Sequence, residues 1–330
     1  MKKILILTTG GTISSVASKD GLIPKNSEEL ILSVFKEEDA KIDIESILVL
    51  DSSNIQPEEW KIIAGKIFEN LESYDGIIIT HGTDTMAYTA SMITFMVQNP
   101  NIPIVFTGSQ LPITHPLTDA VDNLHCAFAM AKSSIPGVFV AFNRKIMFAS
   151  RSVKARTSSF DAFESINLHP LGTVSATGLV IQKNMLHEND KAPKLILDIN
   201  TNVFLLKLTP TTNPSIIPLL ISSGVEGIVI EAYGAGGISY IRRDFIKEIK
   251  NAIIQGVPIV VSSQCLYERS DFNIYEVGTK VIASGAIEAY DMTSEAAVTK
   301  LMYALGQTNN LAEIKKIFLT PIAYEIKPEE

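Results

Sequence analysis

The sequence predicts an α/β protein: a larger N-terminal domain on a doubly wound, mostly parallel sheet, then a smaller C-terminal α/β domain. Three observations predict it. Apolar, largely β-branched runs at Ile4 to Leu7, Ile42 to Leu50, Ile77 to Thr80, Ile104 to Thr107 and Val138 to Phe142 read as strands buried on both faces. Helical periodicity separates them, and that alternation makes parallel sheets. After a polar segment at 184–201 the alternation resumes, with strands at Val203 to Leu208, Gly227 to Glu231 and Pro258 to Ser262 and helices at Ser215–Ser223 and Asp244–Gln255. The domains are therefore 1–183 and 202–330 with a linker at 184–201, and a chain of 330 residues suits two domains.

The first strand runs into Thr8-Thr9-Gly10-Gly11-Thr12-Ile13. Ser14 to Lys25 then reads as a polar, irregular loop of the kind that forms lids or binding loops. Helix signals begin at Asn26, with Glu29 three residues on as in a capping box, and Leu30, Ile31, Val34 and Phe35 share a face. The second strand ends in Asp51-Ser52-Ser53-Asn54. Pro57 suits the first position of the next helix, whose buried stripe is Trp60, Ile63, Ile67 and Leu71.

The third strand ends at His81-Gly82, where glycine supplies a sharp turn, and Thr83 and Asp84 stand where a helix N-cap belongs. Met86, Ala90, Ile93 and Val97 carry the helix that follows. A hydroxyl and a carboxylate at the carboxyl end of a buried strand suit chemistry or anion binding. The plainer alternative is an ordinary strand–turn–helix joint in which both residues only cap the helix. The fourth strand ends in Thr107-Gly108-Ser109-Gln110, and a helix follows over Asp119 to Lys132. Four successive strands thus end in hydroxyl-bearing loops, at Thr12, Ser52-Ser53, Thr83-Asp84 and Ser109-Gln110. In a parallel sheet these line one edge, which favours a site for a small polar molecule.

Phe142 to Ser152 reads as a hairpin turning at Asn143-Arg144. Lys154 follows among small and apolar residues, where an ordinary helical or surface lysine is the first expectation. Tyr233-Gly234-Ala235-Gly236-Gly237 suits close backbone approach. The net charge of −8 points away from nucleic acid and anionic membranes as partners. No stretch approaches the 18 apolar residues of a membrane span. The apolar run after Met1-Lys2-Lys3 stops too early for a secretory signal. Cys126 and Cys265 lie in apolar surroundings and read as reduced core residues of a cytoplasmic protein, with one long-range disulfide as the alternative.

Several chemistries are set aside. There is no Gly-x-x-x-x-Gly-Lys loop, no G-x-G-x-x-G spacing, no G-x-S-x-G elbow, and the five histidines form no metal-ligand pair on a helix face. Hydroxyl nucleophiles, Asp84 and Lys154 remain, the parts needed for acyl transfer by an activated threonine.

At these residues the sequence resembles a known family. Thr9-Gly10-Gly11-Thr12-Ile13, Asp51-Ser52-Ser53, His81-Gly82-Thr83-Asp84-Thr85-Met86-Ala87 and Thr107-Gly108-Ser109-Gln110 look like the signature segments of bacterial-type L-asparaginases. Ser152-Val153-Lys154-Ala155 and Phe160-Asp161-Ala162-Phe163 match the family's lysine segment. Tyr233-Gly234-x-Gly236, Gln264-Cys265 and Asp291-Met292-Thr293 extend the likeness through nearly the whole chain, toward the cytoplasmic type I branch. The resemblance implies hydrolysis of L-asparagine to L-aspartate and ammonia, with Thr12 as nucleophile and an acyl-enzyme. Thr83, Asp84 and Lys154 form a second triad in which a lysine in a dry site takes a proton from Thr83. Ser52 binds the substrate carboxylate, Asp84 pairs with its ammonium, and Asp51, Ser53, Thr83 and Ser109 complete the substrate site. No cofactor or metal is implied. A homodimer or homotetramer is, since the small domain of a neighbouring subunit closes the family's site.

Two segments depart from the pattern. The family usually carries a tyrosine in the loop after T-G-G-T, hydrogen-bonded to the nucleophile, and the matching position here is Leu22. Leucine can neither donate nor accept that proton, which leaves open a shifted amide preference, such as glutamine, or a catalytically weak amino-acid-binding protein. Leu117-Thr118-Asp119-Ala120 also differs from the family's Arg-Ser-Asp-Gly. A component of a tRNA-dependent amidotransferase is disfavoured, since such chains carry a further N-terminal domain and this one begins at strand one.

Overall fold

The computed structural model describes residues 1–18, 21–24, 28–35, 39–187 and 190–327, with backbone alone at 16–18 and 21–24. The chain divides into two compact units, Met1–Leu197 and Asp198–Glu330. Strands Lys2–Gly10, Ala40–Leu50, Gly76–Thr80, Pro103–Thr107 and Gly137–Phe142 run parallel in the first unit. Lys145–Phe148, Gly172–Ser175 and Gly178–Ile181 extend that sheet antiparallel, to eight strands among the described residues. Ile4, Ile6, Ile77, Ile78, Ile79, Ile104, Val105 and Phe106 are all fully buried, as continuous apolar runs require when helices cover both faces.

The order of the five parallel strands locates the site. Numbered along the chain it is second, first, third, fourth, fifth, so the connections reverse direction beside the first strand. The carboxyl ends flanking such a reversal open a crevice, because the two crossover loops diverge there. The strands at that point are Lys2–Gly10 and Gly76–Thr80, joined also by Thr9 Oγ1 donating to Thr80 O at 2.9 Å.

Several local expectations change. The expected irregular loop from Ser14 to Lys25 is, at its described residues, a hairpin: after a turn at Thr12–Ser14, Ser15–Ser18 pairs antiparallel with Gly21–Pro24. The next helix is Glu28–Val34. Its expected start at Asn26 lies outside the described residues, and of the expected face Ile31 and Phe35 are buried while Leu30 is exposed. Helix Pro57–Asn70 carries Pro57 in its first turn and buries Trp60, Ile63 and Ile67, with Leu71 buried just beyond. Helix Met86–Met96 begins two residues later than Asp84 and buries all but Tyr88, so it is a core helix rather than an amphipathic one. The hairpin at Asn143-Arg144 forms, both residues having positive φ. Lys154 ends a short strand, Ser152–Lys154, paired with Phe163–Ser165. In 184–201, Lys194–Leu195 pairs with Val97–Gln98.

The second unit is a parallel sheet of Val203–Lys207, Gly227–Ala232, Ile259–Ser263 and Ile287–Glu288, in chain order. The last strand, two residues long, gives too short a pattern to be read from sequence. Alternation along Gly227–Ala232 places Ile228, Ile230 and Ala232 in one core and Val229 in another, across the sheet. The latter core is closed by helices Ser294–Gln307 and Leu311–Leu319. There Lys300 Nζ, fully buried, meets Glu325 at 2.5 Å and Thr320 O at 2.8 Å. The Tyr233 loop does make a close approach at Gly236, against the ring of Phe272, where an added Cβ would lie 2.8 Å from ring carbons.

Candidate active site

The first and third strands deliver their turns to each other. Gly11 sits at φ +78° and ψ −176°, and a Cβ there would overlap Gly82 N and lie 2.5 Å from Gly82 Cα. Thr12 follows the one glycine and Thr83 the other, so the two threonines leave from abutting backbones. Gly11 is held in place by its N–H on Leu50 O at 2.9 Å, while its carbonyl accepts the hydroxyls of Ser14 and Ser15 at 3.1 and 2.9 Å. Thr12 is partly exposed at the start of its turn.

Thr83 and Asp84 do not cap the helix. The N-cap is Thr85, and the polar atoms of the turn point elsewhere. Lys154 Nζ donates to Thr83 Oγ1 at 2.8 Å and to Asp84 Oδ1 at 2.5 Å. Thr83 Oγ1 in turn donates to Gln110 Oε1 at 3.3 Å. Ser52, buried, joins the turn twice: its Oγ accepts from Asp84 N at 3.2 Å and its carbonyl accepts from Thr85 Oγ1 at 2.6 Å. The Asp84 side chain is 61% exposed and that of Lys154 17%, so the carboxylate has a solvent face on which a ligand cation could sit.

The structure thus brings Ser52, Thr83, Asp84 and Lys154 into one hydrogen-bonded cluster with the Thr12 turn against it. It does not bring Asp51, Ser53 and Ser109 into that cluster through their side chains. Asp51 accepts from Ser53 N at 2.9 Å and Ser53 Oγ at 2.5 Å, closing its own turn. Ser109 Oγ donates to Leu111 O at 2.5 Å. Sequence reasoning passed over Gln110 and Asp119. The Asp119 carboxylate accepts Gln110 N at 3.0 Å and Leu111 N at 3.1 Å, fixing the loop that carries Gln110. The aspartate kept in the otherwise divergent Leu117-Thr118-Asp119-Ala120 was the available signal.

His81, beneath the turn, is fully buried and burial pushes its pKa down to about 4; its Nδ1 lies 2.7 Å from Gly82 O. It is a neutral packing group. Burial pushes the Cys126 thiol up to about 12, consistent with an inert core residue, but Cys265 is exposed and not in the core; neither forms a disulfide. Among the described residues no group of three His, Cys, Asp or Glu side chains could hold a metal ion, and no helix is long and apolar enough to cross a membrane.

A hydroxyl–lysine–carboxylate cluster at the reversal point of a parallel sheet is equipment for acyl transfer, which suits an α/β enzyme of that chemical class. Comparison with known proteins narrows this. Residues 3–187 match the family model "Asparaginase, N-terminal" and residues 202–318 match "Glutaminase/Asparaginase C-terminal domain". An L-asparaginase of Thermococcus kodakarensis is 42% identical over 327 residues, 98% of this chain and 99% of that protein. The solved structure of a thermostable L-asparaginase from the same organism superposes with a TM-score of 0.94 at 40% identity, covering 99% of this chain and 100% of that one. L-asparaginase I of Vibrio cholerae superposes with a TM-score of 0.90 at 29% identity over 99% of both chains. The chain belongs to the asparaginase family.

Proposed function

We propose that this protein hydrolyses L-asparagine to L-aspartate and ammonia through a threonine nucleophile, as a cytoplasmic enzyme of the type I branch acting as a homodimer or homotetramer. The observation that carries the reading is the Lys154–Thr83–Asp84 cluster beside the Thr12 turn. The L-asparaginase relatives supply the substrate, the Vibrio cholerae relative the branch, and two unpaired cysteines suit a reducing compartment.

Thr12 Oγ1 attacks the side-chain amide carbon of asparagine. Its proton passes to the departing nitrogen, which leaves as ammonia, and an aspartyl ester remains on Thr12. Water then adds hydroxide to the ester carbon and returns a proton to Thr12 Oγ1, so asparagine and water are consumed and aspartate and ammonia formed. Thr83 stands next to the nucleophile's turn and Lys154 lies within proton-transfer distance of Thr83. Asp84 pairs with the substrate ammonium on its exposed side, and Ser52 donates its hydroxyl hydrogen to the substrate carboxylate. Asp51, Ser53 and Ser109 hold the loops around the bound amino acid, while N–H groups of the glycine turns meet the developing oxyanion. The catalytic threonines belong to a domain at 1–183, followed by the 184–201 linker and the 202–330 domain.

The test is ammonia release from L-asparagine by the pure protein. Thr12→Ala and Lys154→Met are each expected to lower kcat at least ~10²-fold, the usual cost of removing an acyl-transfer group. Activity that survives both substitutions refutes the mechanism. A second reading, a shifted amide preference or amino-acid binding without turnover, is favoured by Leu22 in place of the lid tyrosine. A panel of asparagine, glutamine and peptide-linked asparagine separates the amide preferences, and calorimetric aspartate binding without ammonia release identifies the weak homologue.

A further inference from the structure

Asp119 stands at the N-cap of helix Ala120–Ala131, where an aspartate normally accepts an N–H from the first turn of its own helix. This one makes no such bond. Thr118 Oγ1 accepts Ala120 N at 3.0 Å instead, and the Asp119 carboxylate reaches back to the loop after the fourth strand. Its Oδ1 accepts Gln110 N at 3.0 Å and Leu111 N at 3.1 Å, while its Oδ2 accepts Gln110 N and Asn123 Nδ2, each at 3.0 Å. Asn123 Nδ2 also donates to Gly108 O at 2.9 Å, so two buried residues one helical turn apart hold the same loop. The Leu111 carbonyl is fixed as well, accepting Ser109 Oγ at 2.5 Å and Thr118 Oγ1 at 3.2 Å.

Two residues further on, Ile113 N donates to Ile13 O at 3.1 Å. Ile13 is fully buried and directly follows Thr12 in the Thr12–Ser14 turn. That turn therefore has an anchor before Thr12, where Gly11 N meets Leu50 O at 2.9 Å, and another just after it, at Ile113. We propose that Asp119 is a positioning residue for Thr12, acting through the main-chain bond from Ile113 to Ile13. This rests on the catalytic reading of Thr12 given above. A carboxylate diverted from capping its own helix sets the course of residues 110–113, and the N–H at 113 fixes the carbonyl beside the nucleophile. Without the carboxylate, the N–H groups of Gln110 and Leu111 lose their acceptor, and the loop must shift to find another. Ile113 moves with it, and Thr12 loses its second anchor. Ser52 and Asp84, the proposed substrate contacts, stand on the turns after the second and third strands, so the effect falls on the aim of Thr12 and not on binding.

The experiment measures ammonia release from L-asparagine by the native protein and by variants at positions 119 and 113. Asp119→Ala is expected to lower kcat at least about tenfold with KM within about twofold, since a shift of about 1 Å at a reacting atom costs on the order of 10² in rate. Asp119→Asn keeps an oxygen for Gln110 N and Leu111 N and should hold kcat within about threefold of native. Ile113→Pro removes the linking N–H and should reproduce the loss, whereas Ile113→Ala keeps that N–H and should not. The Asp119→Ala/Ile113→Pro double variant should be no slower than the slower single one, because both break one link. Losses that multiply in the double variant, an asparagine variant as slow as the alanine one, or a raised KM at unchanged kcat overturns the proposal. So does an Ile113→Ala protein as slow as Ile113→Pro. Native kcat in Ile113→Pro overturns it even where Asp119→Ala does not fold. In crystals of Ile113→Pro, Thr12 should move by about 1 Å, and an unmoved Thr12 is refuting evidence whether or not the native protein turns over asparagine. Native protein that releases no ammonia from asparagine refutes instead the proposed function.

Discussion

Gly11→Ala tests whether the two threonine turns depend on each other. Gly11 occupies φ +78° and ψ −176°, a region that residues with a Cβ enter only under strain, at roughly 1–3 kcal/mol. The added methyl would also overlap Gly82 N and lie 2.5 Å from Gly82 Cα. Both are backbone atoms, so no rotamer change relieves the contact, and overpacking of this kind adds about 1–3 kcal/mol. The sum, about 2–6 kcal/mol, is a large part of the ~5–15 kcal/mol by which domains are stable. For a domain of this size each kcal/mol moves Tm by about 2–4 °C, so the variant should melt at least about 4 °C lower. Gly65→Ala is the control: it lies within helix Pro57–Asn70 with nothing within 4 Å of its Cβ position, and should gain about 0.5–1 kcal/mol. Thermal melts followed by circular dichroism read the stability, and ammonia release reads the site. A Gly11→Ala protein that melts within a degree of native, with native kcat, would refute the close approach and with it the coupling of Thr12 to Thr83.

Two further outcomes are expected. Leu22→Tyr should raise kcat about tenfold or more if the missing hydroxyl limits turnover, and unchanged kinetics would show that another group serves the nucleophile. His81 titrates near 4 in the folded protein and near 6.5 unfolded, so between these values the unfolded chain binds the extra proton. Its stabilising share is therefore complete above pH 6.5 and lost as pH falls toward 4, about 3 kcal/mol in all. Urea titrations at pH 7 and pH 4 should show the native protein losing that much more than His81→Asn, and equal losses would refute the assignment.

The parallel strands were legible because burial on both faces leaves no polar position to interrupt a run such as Gly76 to Thr80. The helix stripe at Trp60, Ile63 and Ile67 was legible because one face alone is buried. Elements with weak patterns were not. Ser15–Ser18 and Gly21–Pro24 pair through backbone bonds that polar side chains permit as readily as apolar ones. Ile287–Glu288 is held by its neighbour Ile259–Ser263 rather than by its own two residues. At the site, the cluster of Thr83, Asp84 and Lys154 spans 71 residues of sequence, and no local pattern makes a lysine at 154 the partner of a threonine at 83. The loop chemistry announced hydroxyls at one edge and left Lys154 as a candidate, and only the resemblance joined that lysine to Thr83 and Asp84. The Lys300–Glu325 pair went unseen for the same reason, since a buried charge is visible only once its counter-charge is placed.

The glycines of the site segments explain why these loops travel together. A Cβ on Gly11 meets the Gly82 backbone, one on Gly82 meets the Ser52 side chain 2.6 Å away, and one on Gly108 meets His81 O. The end of each strand is thus fitted to the end of another through a position that tolerates no side chain, and the hydroxyls stand immediately beside those positions. Thr12 follows Gly11, Thr83 follows Gly82, and Gly108 comes two residues before Gln110, whose amide meets Thr83. Close packing of these loop ends fixes the Thr83 hydroxyl at the point that the Lys154 and Gln110 side chains reach. The glycine pattern and the hydroxyl pattern are consequently one constraint: widening any of these contacts by a methyl group moves a hydroxyl by a comparable distance. Displacements of about 1 Å at reacting groups can cost on the order of 10² in rate, so the packing residues of this edge should be as intolerant of substitution as the residues that bear the chemistry.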